Sequence, residues 1–114
     1  MKMPMAYVTA AWSVDPVEAT EQAARYCRAV YEAGFSPICP TLYLPLFLND
    51  AVPEEYKSSI DMSRDLLRRS RVLVVRGHAV TEAVKNDIAV AQRLKITATT
   101  LEGILTVNYF APTG

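Results

Sequence analysis

Four short, largely apolar runs recur along the chain, at residues 6–11 (AYVTAA), 35–39 (FSPIC), 72–75 (VLVV) and 96–100 (ITATT). Their length and their share of β-branched and aromatic residues predict strands. The unbroken run VLVV further predicts a strand covered on both faces. Between the runs the period changes to that of a helix. Asp15-Pro16-Val17-Glu18 predicts a helix start, with Asp as N-cap, Pro at the first position and Glu three residues after the cap. Val17, Thr20, Ala24, Cys27 and Tyr31 follow at helical spacing, and Gly34 ends the segment. Pro53 opens a second helix, whose inward face is drawn through Tyr56, Ile60, Ser63 and Leu67 and widened by Met62 and Leu66. Thr81 is the expected N-cap of a third, with Val84, Ile88 and Ala91 facing the core and Val80, Ala83, Val90 and Leu94 extending that face. Residues 101–107 predict a short final helix, and the two ends of the chain predict loose segments.

Strand and helix therefore alternate as β-α-β-α-β-α-β, the pattern of an α/β fold with a parallel sheet and helices on both faces. Right-handed crossovers favour the strand order 2-1-3-4. A crevice is then expected at the carboxyl ends of the first and third strands, collecting residues 9–13 on one side and Gly77, His78 and Thr81 on the other. One segment fits no regular element. Residues 40–53 (PTLYLPLFLNDAVP) are rich in Leu, Tyr and Phe but broken by three prolines, which deny them a central strand. So apolar a connection suggests a pocket wall, a lid or a subunit contact, against the plainer alternative of a loop packed on its own domain.

One polar residue breaks the pattern. At roughly 100° per residue, Asp87 falls between Leu94 and Val80, inside the apolar arc of the third helix. Lys85, Asn86, Glu82, Gln92 and Arg93 take the opposite side. Lys95 also turns inward, but a long stem at a helix end can carry its charge back to water. An aspartate cannot, so it must find donors or hold its proton more tightly. Such groups gather at functional sites, although a structural pairing with one of the chain's arginines would produce the same pattern.

Composition narrows the classes. With 114 residues, 51% of them hydrophobic, the chain is expected to form one domain over residues 1–114 with a real core. Twelve basic and twelve acidic residues cancel, so no net field favours nucleic acid. The basic cluster at residues 64–71 is expected to be a solvated helix end. Cys27 and Cys39 are the only cysteines; both are expected to be small buried hydrophobes, and no spacing suggests zinc or another metal. No signal peptide or membrane-spanning run is expected, which makes a cytoplasmic protein without membrane contact the straightforward inference. Neither GxGxxG, GxxxxGK[ST] nor GxSxG occurs, so dinucleotide, P-loop and hydrolase-elbow chemistry lack support, and no cofactor is expected. The lone histidine, His78, is a candidate ligand contact. Trp12 could equally stack on a flat ring or pack on its own helix, and the amides at the start of the Thr81 helix suit an anion.

Several stretches together resemble the nucleoside 2-deoxyribosyltransferase-like family, in particular a short uncharacterised branch of it. They are YVTAAW at the first strand, PTLYLPLFLNDAVPEE, the helix after it, and VLVVRGHAVTEAVKNDIAVAQRLKI, so the resemblance spans residues 6–104. It implies a flavodoxin-like three-layer sandwich with a four- or five-stranded parallel sheet, assembled as a homo-oligomer (dimer or tetramer). It also implies chemistry at the N-glycosidic bond of nucleosides or their monophosphates. A carboxylate there attacks the anomeric carbon, and water or a second base resolves the intermediate. By this resemblance Asp87 holds the nucleophile's place and Thr81 the hydroxyl near sugar or phosphate. Tyr7, Thr9, Ala10 and Trp12 lie in the segment lining base and sugar. The chain also departs from the family. Asp87 stands where Glu is usual, shortening the reach by about 1.5 Å. Ala83 replaces a glycine, and Arg71 replaces a common Asp. The leading expectation is thus a protein that binds a small-molecule nucleoside or nucleotide, with a nucleoside deoxyribosyltransferase or deoxynucleoside-phosphate N-glycosidase as the enzyme it would be. The rivals are a non-catalytic nucleotide-binding or sensing module and an oligomeric interaction protein.

Overall fold

A computed structural model describes residues 3–77 and 81–103. The chain alternates as β1 (Met5–Ala10), α1 (Pro16–Glu32), β2 (Ser36–Ile38), two 3-10 turns (Pro40–Leu42 and Leu44–Leu46), α2 (Pro53–Arg68), β3 (Val72–Arg76), α3 (Glu82–Arg93) and β4 (Thr97–Thr100). The four strands form one parallel sheet in the order β2-β1-β3-β4, the order expected, in a flavodoxin-like α/β arrangement. Residues 101–103 begin the helical turn expected after β4; the rest of that segment, the chain ends and His78 lie outside the described residues.

The alternation of side chains along the strands divides the core in two. Ala6 and Val8 of β1 and Val72 and Val74 of β3 pack with Ala23, Cys27 and Val30 of α1. Tyr7, Leu73 and Val75 face the other way, onto Leu67 of α2 and Val84, Val90 and Ala91 of α3. β3 is buried on both faces from Val72 to Val75, as its unbroken run of apolar residues requires.

The caps follow local chemistry. Asp15 accepts from the Val17 amide at 3.1 Å and starts α1, while Thr81 accepts from the Val84 amide at 3.3 Å and starts α3. The row read at helical spacing in α1 is not the buried one. Val17, Thr20, Ala24 and Tyr31 are exposed, and the buried row is Ala19, Ala23, Cys27 and Val30. The two rows share Cys27. The row of small residues wins because it lets the helix lie close on the sheet. Tyr31 instead takes the Arg28 guanidinium over its ring, at 5.2 Å. Cys27 and Cys39 are buried free thiols, as expected. Among the described residues no helix is long and apolar enough to cross a membrane.

Candidate functional site

The proline-broken segment after β2 cannot extend as a strand, so it folds back as two 3-10 turns beside the carboxyl end of β1. α2 and the first two turns of α3 close the remaining sides. The result is an open cleft of about 540 Å³. Its floor is β1, through Tyr7, Val8, Thr9 and Ala10, with Trp12 just beyond. Pro40, Thr41, Leu44, Pro45 and Asp50 form one wall; Tyr56, Ser59, Ile60, Ser63 and Arg64 of α2 form the next; and Glu82, Ala83, Asn86 and Asp87 of α3 form the third. The pocket-wall expectation for residues 40–53 thus holds for their inner half. Leu46 and Phe47 turn outward, 83% and 57% exposed.

Asp87 is half-buried and opens on this cleft. The buried Thr9 hydroxyl donates to its Oδ2 at 2.7 Å, and among the described residues Oδ1 takes no hydrogen bond. Loss of water pushes the Asp87 carboxyl above the usual aspartate value; the Thr9 hydroxyl and the positive charge of Arg64 pull it back in part. No direct ion pair with Arg64 forms, so the sealed internal salt bridge that would have explained the residue structurally is not what the fold builds. Thr9 and Tyr7 share the α3 side of β1 because strand residues alternate. Burial pushes the Tyr7 phenol well up, the neighbouring Asp87 charge adds to this, and a hydrogen bond with Ser63 acts the other way. Tyr7 therefore stays a neutral phenol throughout the ordinary pH range.

Of the residues expected at the site, Tyr7, Thr9, Ala10, Trp12 and Asp87 come together. Gly77 and Thr81 do not line the cleft. Among the described residues none of β3 lines the cleft, whose rim is built instead by the 3-10 turns after β2. Gly77 is exposed and adopts φ +75°, where a side chain is strained; Thr81 is engaged as a helix cap. The polar cleft residues not anticipated as site residues include Asp50, Ser59, Ser63 and Arg64. For Ser63 a signal existed, since it sits in the apolar row of α2 as Asp87 does in α3. Arg64 belongs to the cluster expected to be a solvated helix end; it is exposed, as are Arg68, Arg69 and Arg71, but it also borders the cleft, whereas Arg68 and Arg69 pair with Asp65 at 3.2 and 3.1 Å. Among the described residues no group of His, Cys, Asp or Glu could hold a metal ion.

Fold and cleft together define a parallel α/β protein that presents a partly desolvated carboxylate to a small-molecule-sized cavity. Residues 4–101 match the family described as a domain of unknown function (DUF7768), and the chain belongs to that family. None of the curated proteins compared with it matches.

Proposed function

We propose that the cleft binds a nucleoside or nucleotide and that Asp87 acts at its N-glycosidic bond. The observation that carries this reading is the Asp87 carboxylate itself, with one oxygen held by Thr9 and the other unengaged beside the cavity. The cavity also falls within the roughly 300–1,000 Å³ of small-molecule sites. The likeness of the Thr81–Asp87 stretch to the nucleophile segment of nucleoside 2-deoxyribosyltransferases lends further support.

In this reading ionised Asp87 attacks the anomeric carbon through Oδ1. The C–N bond breaks, its electron pair leaves with the base, and an ester links the sugar to Asp87. Water or a second base then attacks the same carbon and releases the carboxylate. Positive charge develops on the sugar in both steps, and the acid beneath it stabilises that charge. The Thr9 hydroxyl fixes which carboxylate oxygen faces the sugar.

Incubation with deoxynucleosides and their 5′-monophosphates, followed by chromatography for free base, tests the proposal. Base release is expected from the wild-type chain, with a loss of at least about a hundredfold in Asp87→Asn, the scale of a displaced or disabled reacting group. Thermal stabilisation by these compounds with no base release would overturn the catalytic part and leave a binding module.

A further inference from the structure

Trp12 is the first residue beyond β1 to line the cleft, and it also packs against the α1 side of the core. The Arg76 guanidinium lies over it, 5.8 Å from the ring centroid. The sheet dictates this pairing, because Arg76 ends β3 directly beside Ala10 of β1, two residues before Trp12. Arg76 does not line the cleft, whereas Trp12 does. The surroundings hold both partners in place. The Ser13 amide donates to Gln22 of α1 at 3.0 Å, anchoring the chain just after Trp12. The Tyr26 hydroxyl donates to the Val75 carbonyl and accepts from the Leu101 amide, each at 3.3 Å, fixing the end of β3 just before Arg76.

We propose that Arg76 is a specificity-determining positioning residue, which holds Trp12 as a stacking platform and tunes that platform toward electron-rich flat rings such as purines. A cation on one face of an aromatic ring draws electron density toward itself. The opposite face then stacks more strongly on a ring that has density to give. The inference rests on the reading of the cleft as a nucleoside site, but it can fail separately from the sugar chemistry, because it concerns only the ring.

The test uses free adenine and uracil as probes and needs no glycosidic bond. Trp12 is the chain's single tryptophan, so its emission reports on this ring alone. Adenine is expected to quench it saturably, with a dissociation constant about tenfold below that of uracil, a ratio of the size stacking on an aromatic side chain produces. Arg76→Met keeps the apolar stem and removes the charge, and is expected to bring the two constants to within about threefold. Arg76→Lys restores the charge and with it most of the preference. A merely structural stem would be replaced by Met without effect. An unchanged adenine-to-uracil ratio in Arg76→Met overturns the proposal, as does adenine binding that leaves Trp12 emission untouched. Base release lost in Asp87→Asn has no bearing on either outcome. Should the wild-type chain release no base yet show the Arg76-dependent preference, the platform stands and the catalytic reading falls.

Discussion

Asp87 was legible from the helical repeat alone, because a short acid inside an apolar arc has no means of returning to water. Its donor was not, since Thr9 lies in a strand far away in the sequence and only the fold brings the two hydroxyl and carboxylate oxygens together. The position has an energetic consequence. The folded chain holds the Asp87 proton more tightly than the unfolded chain does, because burial raises the carboxyl above its ordinary 3.8. Ionisation therefore works against folding, starting as pH climbs past the unfolded value and complete once it passes the raised one. Asp87→Asn is expected to melt at a higher temperature than wild type at pH 7. The difference should shrink as pH falls and vanish below about 3.8, where both states of the wild-type chain are protonated. Calorimetry across that range measures it; an Asn variant less stable at pH 7 would show that the carboxylate is a net stabilising partner of Thr9. Base release should likewise fall on the acid side, with its inflection above the ordinary aspartate value, since the attacking form is the anion.

At the scale of elements, caps and prolines carried the boundaries, because their effects are local. Asp15-Pro16, Pro53 and Thr81 start their helices where the sequence predicts. The buried face of α1 was not legible, because hydrophobicity favours Val17 and Tyr31 whereas packing against a sheet favours alanine. The turns at 40–46 could be recognised as irregular, but their direction across β1 depends on contacts remote in sequence. α2 begins less well than its neighbours. Val52 occupies the cap position with extended backbone and no side-chain acceptor, and the Glu55 carboxylate reaches back to the Asn49 amide at 2.8 Å. Val52→Thr supplies the missing acceptor with little change of shape. It should add about 1 kcal/mol of stability, or about 4 °C in melting temperature. Thermal unfolding followed by circular dichroism checks this, and a null or negative shift would mean that burial of the new hydroxyl outweighs the cap.

For the whole molecule, strand order followed from alternation and handedness, so the sheet was readable before any contact was known. The location of the cavity was not fully readable. The crossing of β1 and β3 marks where a cleft can form, but the turns after β2 decide over which strand it opens. The same architecture orders local stability. β1 and β3 are central and buried, while β4 is an edge strand whose first residues are exposed. Amide exchange should be slowest at Val8 and Val74, opening only with global unfolding. The β4 amides should exchange faster by more than about a factor of ten, equivalent to ~1.4 kcal/mol of easier opening. Uniform rates across the four strands would contradict this ordering.

The cleft draws its acid and its rim from different pieces of chain. Thr9 and Asp87 hang from a central strand and from a helix packed onto it, whereas residues 40–50 belong to the short turns and loop that follow β2. Changes in those turns can alter the rim without moving the Asp87 carboxylate. A lineage built on this frame can therefore reshape the mouth of the cavity while inheriting the Thr9–Asp87 pair intact.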